Sequence, residues 1–166
     1  MELPERTAVL EHVAGRLERH RAASSRGGAA APHARATDAR PALCVVLVDG
    51  YPALAARDPL GASAAMDEVA RRLDRLVRSG DLLGRLAPDR LVVAVDISPA
   101  VAGALVERVR GAVAMPVEVD GDLLSPVAVI GLAIFDDRSG GAPIDADGLL
   151  ERAERDLALQ LGGGRA

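Results

Sequence analysis

The first apolar pattern along the chain has helical spacing and lies near the N-terminus. Apolar residues recur there three to four positions apart: Leu10, Val13, Ala14 and Leu17. This spacing predicts an amphipathic helix, with Pro4 in its first turn. Charged residues are expected on its other faces: Glu11, Arg16, Glu18 and Arg19. Residues 22–39 have no apolar periodicity, so we expect a flexible loop there.

A continuous apolar run from Ala42 to Val48 predicts a strand that is buried on both faces of a sheet. Cys44 lies within this run and is expected to be a buried, unreactive thiol. Asp49 ends the strand. A carboxylate at such a position suits ligand or metal binding, but it suits turn formation equally well, and position alone leaves both interpretations open.

A second helix and a β-hairpin follow. The helix is predicted by a stripe of six apolar residues: Met66, Val69, Ala70, Leu73, Leu76 and Val77. The apolar runs Leu82–Leu86 and Leu91–Val95 then predict two strands, which residues 87–90 join. Pro88 pre-sets one backbone angle of this turn, and Asp89 is a favoured turn residue.

The following segment predicts a third helix and a short strand. Ser98 is expected to cap the helix, whose apolar stripe extends from Val101 to Val113. A short strand begins at Val117. It ends at Asp120-Gly121, a strong signal for a two-residue hairpin turn.

The last elements complete an α+β pattern. Val127–Phe135 predicts another long strand, and Asp145 or Asp147 is expected to cap the final helix. Residues 162–166 are expected to be a frayed tail. This order of elements predicts a central, mostly antiparallel sheet with helices packed on it, of the ferredoxin-like or nucleotide-cyclase kind.

Length and composition exclude several classes of protein. With 166 residues, 49% of them hydrophobic and 27% charged, the chain is expected to be a single globular domain. The net charge of −4 and the presence of only two aromatic residues argue against a nucleic-acid partner. No apolar run long enough to span a membrane and no signal peptide occur, so we expect a cytoplasmic protein without a membrane partner. His12, His20 and His33 have no partners at metal-ligand spacing and are expected to be solvated.

Six segments in the same order carry a family resemblance over nearly the whole chain. They are LPER at residues 3–6, VDGYPAL at 48–54, EVARRL at 68–73 with RSGD soon after it, VERVR at 106–110, VAVIGLA at 127–133, and AERDLALQLGGGR at 153–165. Together they resemble the GGDEF domain of diguanylate cyclases. The resemblance implies the nucleotide-cyclase-like fold and a role in cyclic di-GMP signalling.

The signature turn of that family is altered in this sequence. In the family, two glycines allow backbone N–H groups to approach the nucleotide, and acidic residues hold a divalent metal. The five corresponding positions here are Ala87, Pro88, Asp89, Arg90 and Leu91. Side chains replace both glycines, and a positive charge replaces an acid. The resemblance therefore implies a degenerate domain that is not an enzyme, a pseudo-diguanylate cyclase.

Other functional positions of the family are also altered. Leu161 stands where the family has a phosphate-binding lysine, and residues 51–56 lack its FKxxND lysine and asparagine. Asp49 and Asp89 are the acids that remain, and Asp49 could match either aspartate of the family's DxD. These two carboxylates are vestigial candidates for a metal. No catalytic residue and no cofactor are expected.

A second site of the family is retained. Arg78-Ser79-Gly80-Asp81 lies five residues before the turn, where the family has the RxxD motif of its product-inhibition site, and Arg108 matches a further arginine of that site. Arginine offers a planar fork to phosphate or guanine, and a carboxylate can accept from the guanine N–H groups. The alternative is a solvated helix end, because helix C-termini favour arginine in any case.

Three functions are consistent with these residues. The first is a non-catalytic receptor for cyclic di-GMP that binds through Arg78, Asp81 and Arg108. The second is an interaction module that pairs with a protein partner or with its own copy through the first helix and the following arginine-rich loop. The third is a GTP-binding or residual cyclase module that uses Asp49 and Asp89.

Overall fold

Five helices and six strands lie within residues 1–26, 39–136 and 144–163, which are the residues that the computed structural model describes. The helices are α1 (Arg6–Arg26), α2 (Tyr51–Arg57), α3 (Pro59–Asp74), α4 (Ala102–Ala114) and α5 (Ala146–Gly163). The strands are β1 (Arg40–Asp49), β2 (Leu82–Ala87), β3 (Arg90–Ile97), β4 (Val117–Val119), β5 (Asp122–Leu124) and β6 (Val127–Ile134). A single 3₁₀ turn, Pro99–Val101, precedes α4.

Four strands form one sheet in the order β2-β3-β1-β6, and every neighbouring pair is antiparallel. The connections from β1 to β6 follow the β-α-β-β-α-β order of a ferredoxin-like fold. Strands β4 and β5 pair separately as a small hairpin. The predicted α+β class with a central antiparallel sheet is confirmed.

Both faces of the sheet are covered by helices. Val46 and Val48 of β1 belong to the apolar cluster that α3 and α4 form with one face. Leu43 and Val45 belong to the cluster that α1 and α5 form with the other face. Because side chains alternate along a strand, an apolar run without interruption is what a strand between two helical layers requires. No helix of the described chain is long and apolar enough to cross a membrane.

The predicted hairpin is confirmed, and its turn is shorter than expected. Ala87 pairs with Arg90, so that only Pro88 and Asp89 lie between the strands. Neither turn residue has a positive φ. Turns of this kind match the twist of a hairpin poorly, and the strand register shifts between Arg85 and Ala87.

Caps and turns agree with the local sequence. Ser98 Oγ accepts a hydrogen bond of 3.4 Å from the Ala100 amide. The Asp145 carboxylate accepts one of 2.8 Å from Gly148, so Asp145 rather than Asp147 caps α5. Asp120 and Gly121 both have positive φ, as the predicted tight turn requires.

Several predicted boundaries are wrong, including that of the second helix, which ends at Asp74, before Leu76 and Val77. Residues 22–26, which were expected in a loop, belong to α1, because alanine has a high helix propensity even where no apolar contact is made. The rest of the predicted loop, residues 27–38, lies outside the described residues. Residues 162 and 163 belong to α5, and residues 164–166 lie outside the description. Residues after Asp49 form α2 rather than only a turn, with Pro52 in its first turn, where proline is tolerated.

We expect Gly131→Ala to destabilise the fold. A Cβ at Gly131 would lie 2.1 Å from the Ala153 carbonyl oxygen and 2.5 Å from the Leu157 amide nitrogen, both in the backbone of α5. The sheet and helix would have to separate, which should lower the free energy of unfolding by about 1–3 kcal/mol. Chemical denaturation measures this change.

Gly111→Ala is the matched control. Gly111 lies within α4, and nothing would come within 4 Å of an added Cβ. Replacing a helical glycine with alanine should raise the free energy of unfolding by about 0.5–1 kcal/mol. Equal stability of the two variants would contradict the tight packing of β6 against α5.

Candidate functional site

A groove of about 490 Å³ lies between the end of α3, strand β3 and helix α4. Polar and apolar atoms contribute almost equally to its walls, and the apolar part includes Val93 and Val95 of β3 and Leu105 of α4. Its polar side chains are Arg78, Ser79, Asp81, Asp96, Ser98 and Arg108. The structure therefore brings Arg78, Asp81 and Arg108 of the predicted site to one groove.

The segment from Arg78 to Asp81 is a tight turn that holds the Asp81 carboxylate in place. The Asp81 amide donates a hydrogen bond of 2.9 Å to the Arg78 carbonyl oxygen. In return, the Arg78 amide donates one of 3.1 Å to Asp81 Oδ2. Gly80 has a φ of 95°, which glycine adopts without strain. The RxxD spacing thus forms one compact turn at the entrance to β2.

The two arginines of the groove are exposed and form no ion pair with the described residues. Arg78 and Arg108 are both exposed. Within residues 1–26, 39–136 and 144–163, neither guanidinium forms an ion pair. Arg110, two residues further along α4, instead pairs with Glu107. Arg78 and Arg108 therefore keep their donors available to an anion.

A third arginine, Arg16, supports the groove. The apolar spacing of α1 predicted a face away from the core for Arg16, and this prediction is wrong. The Arg16 side chain of α1 is only 5% exposed. Its Nη2 donates to Asp81 Oδ1 over 3.0 Å and also to the carbonyl oxygen of Gly80. Its Nη1 lies 3.0 Å from Asp96 Oδ2, an ion pair without hydrogen-bond geometry. Arg16 lies seven residues after the buried Val9, and this spacing was the available signal.

The histidines of α1 are not simply solvated, contrary to the sequence-based expectation. His12 Nε2 accepts a hydrogen bond of 3.0 Å from Arg16 Nε. Burial, and then the positive charge of Arg16, lower the pKa of His12 below its ordinary value. His20 packs edge-on against the Phe135 ring, with centroids 5.5 Å apart. His33 lies outside the described residues.

The hairpin turn at residues 87–90 lies beside the end of β1. The Val48 amide donates a hydrogen bond of 3.0 Å to the Asp89 carbonyl oxygen. The Asp49 carboxylate accepts one of 2.9 Å from the adjacent Gly50 amide, which is the turn role left open by the sequence. Asp49 also borders a largely apolar cavity of about 400 Å³, next to Tyr51 and Met66.

Acidic side chains do not gather at this turn into a recognisable metal site. Among the described residues, no three His, Cys, Asp or Glu side chains are grouped so that they could hold a metal ion. The proposal of a vestigial metal site at Asp49 and Asp89 stays a prediction. Burial raises the pKa of the Cys44 thiol to about 12, so this side chain is an inert part of the core.

Arg90 points toward α5. Its Nη1 lies 3.6 Å from Glu154 Oε1, and Arg6 Nη1 lies 3.9 Å from the same oxygen. The adjacent Leu91 belongs to the opposite apolar cluster, with α3 and α4. The alternation of a strand therefore directs Arg90 to the α1 and α5 side, and its charge is partly balanced by Glu154.

Comparison with known proteins identifies the fold. No family model matches the sequence, and no curated protein matches it. Solved structures do match: a sensory box/GGDEF family protein from Caulobacter crescentus has a TM-score of 0.80 at 22% identity, over 97% of this chain and 94% of that one. The chain has the GGDEF-domain fold.

Two further solved structures with this fold are complexes with a protein or a nucleotide. The diguanylate cyclase SiaD from Pseudomonas aeruginosa, in complex with its activator SiaC, has a TM-score of 0.78 at 22% identity, over 98% of this chain and 56% of that one. The GGDEF domain of DgcB from Caulobacter crescentus, in complex with c-di-GMP, has a TM-score of 0.76 at 17% identity, over 98% and 85%. At these identities the similarity establishes the GGDEF fold alone.

We expect the stability of this GGDEF fold to fall as the pH drops below about 6.5, the ordinary pKa of histidine. The folded-state pKa of His12 is lowered, so the unfolded chain binds a proton more readily, and stability rises with pH across the interval between the two pKa values. Thermal unfolding between pH 5.5 and 7.5 measures this slope. His12→Gln should flatten it, and an unchanged slope in that variant would contradict the role of His12.

Proposed function

We propose that this chain is a catalytically inactive GGDEF domain that acts as a receptor for cyclic di-GMP through Arg78, Asp81 and Arg108. The observation that carries the proposal is the convergence of these three residues on one groove, where neither arginine forms an ion pair with the described residues. The DgcB complex supports it, because that domain of the same fold binds c-di-GMP.

The chemistry of the groove suits a cyclic dinucleotide. Arg78 and Arg108 supply planar donors for phosphate oxygens or for the O6 and N7 edge of guanine. Asp81 accepts one internal hydrogen bond on each oxygen, and a carboxylate has about four acceptor positions. One position on each oxygen thus remains for the N1–H and N2–H groups of guanine. The apolar part of the walls, which includes Val93, Val95 and Leu105, suits the flat faces of the bases.

Loss of catalysis is supported by the turn and by the end of α5. Pro88 has no backbone N–H, and the Ala87 side chain occupies a position where the family has glycine. Leu161 is 40% exposed near the end of α5 and supplies no charge for a phosphate. Arg90 stands where the family has an acid, and its positive charge repels a divalent metal. Metal binding, phosphate binding and close nucleotide approach are therefore all weakened together.

Fewer observations support the alternative function, a nucleotide-independent interaction module. The SiaD complex shows that a diguanylate cyclase can bind a protein activator. However, the apolar face of α1, on which this hypothesis relied, is buried against the sheet through Val9, Val13 and Leu17. Pairing with a protein partner or a second copy would need another surface.

Titration calorimetry with cyclic di-GMP tests the receptor function. The wild-type chain should bind, and Arg78→Ala and Arg108→Ala should each weaken binding by about tenfold or more, because each removes a charge-assisted contact. Arg75→Ala and Arg110→Ala are matched controls, since these exposed arginines lie outside the groove lining. They should leave the affinity within about threefold. No binding at tens of micromolar, or equal losses in control and test variants, would refute the receptor function.

Incubation with GTP and Mg²⁺ or Mn²⁺ tests the absence of turnover. We expect chromatography to detect no cyclic di-GMP, because the signature turn lacks its glycines and one of its acids. An active diguanylate cyclase serves as the positive control. Product formation that is lost in Asp89→Ala would show instead that this chain is a residual cyclase.

A further inference from the structure

We infer that Arg16 is a positioning residue for the groove and ties helix α1 to it. This inference rests on the proposed cyclic di-GMP site and adds a residue from a distant part of the sequence. Arg16 precedes Asp81 by 65 positions, yet its guanidinium touches both acids that line the groove, Asp81 and Asp96. Arg16 lies outside the six segments that resemble the GGDEF family.

The contacts of Arg16 fix the turn that presents Asp81. One nitrogen, Nη2, binds the Gly80 carbonyl oxygen and Asp81 Oδ1 together. The Arg78 amide holds the other carboxylate oxygen. The carboxylate is therefore clamped from two sides, while 16% of its side chain stays exposed. A group held in this way loses little conformational freedom when it binds a ligand, which favours affinity.

The Arg16 side chain is buried, which distinguishes this clamp from an ordinary surface ion pair. Arg16 is 5% exposed, whereas Arg19, one turn further along the same helix, is exposed. The Nε of Arg16 is held in turn by His12. Every polar end of Arg16 is thus directed into the fold, and none is available to a ligand. Its effect on the groove is exerted through Asp81, Asp96 and Gly80.

Arg16 also sets the charge of the groove. The side chains of Arg78 and Arg108 balance those of Asp81 and Asp96, and Arg16 adds one positive charge beneath them. Loss of Arg16 would therefore both release Asp81 and make the groove less attractive to an anion. The experiment must separate these two effects, because the inference concerns position.

Calorimetry with cyclic di-GMP on Arg16→Met and on Arg16→Met/Asp96→Asn makes the separation. The double variant has the same net groove charge as the wild type. We expect both variants to bind about tenfold more weakly than the wild type, the size of effect that follows loss of a hydrogen bond to a charged group. Arg16→Lys keeps the positive charge but lacks the planar guanidinium, so its affinity for cyclic di-GMP should lie between that of these two variants and that of the wild type. Arg19→Ala, the control, should bind as the wild type does.

Hydrogen exchange of the ligand-free protein provides a second readout that does not depend on binding. The amides of Arg78 and Asp81 should exchange faster in Arg16→Met than in the wild type, while those of the β4–β5 hairpin should not change. The same comparison shows whether Arg16→Met folds. If it does not fold, the exchange and binding measurements are made on Arg16→Lys.

The outcomes distinguish this inference from the proposed function. Wild-type binding with equal or tighter binding by Arg16→Met, or full recovery in the double variant, would overturn the positioning role and leave the receptor function intact. Absence of binding by the wild type would overturn the receptor function and, with it, this inference.

Discussion

Burial of β1 on both faces is the constraint on which the rest of the fold depends. β1 pairs with β3 on one side and with β6 on the other, and its apolar side chains enter two separate cores. Helices α3 and α4 must cover one face and α1 and α5 the other, because neither face can be left in water. The groove that Arg78, Asp81 and Arg108 line lies between the end of α3, strand β3 and helix α4.

This layering also explains how α1 reaches the groove. Arg16 extends from α1, which packs on the opposite face, to the turn at the entrance to β2 and to Asp96 near the end of β3. A buried arginine is tolerated because two carboxylates and a carbonyl oxygen surround it. Removal of either carboxylate would leave the buried Arg16 charge with a single acidic partner, which should destabilise the cluster. The groove is thus linked to both helical layers.

The fold was predictable from the sequence because its signals are local. The apolar run of β1, the Asp120-Gly121 turn and the Ser98 cap each act over a few residues, and the structure confirms them. The helical conformation of residues 22–26 could not be predicted from apolar spacing, since alanine favours a helix but produces no amphipathic pattern. Arg78, Asp81 and Arg108 were singled out from a motif, and their convergence on one groove depends on tertiary packing. Arg16 was missed because a charged residue is ordinarily assigned to solvent.

The most direct test of the account is to map cyclic di-GMP on the chain by the shifts of backbone amide resonances. If cyclic di-GMP binds in the groove, ligand-induced shifts should centre on residues 76–81 and 96–109, which border it. Asp49 and Leu54, which border the other cavity, should shift little. Shifts centred on that second cavity, or no shifts at ligand concentrations of hundreds of micromolar, would contradict the account.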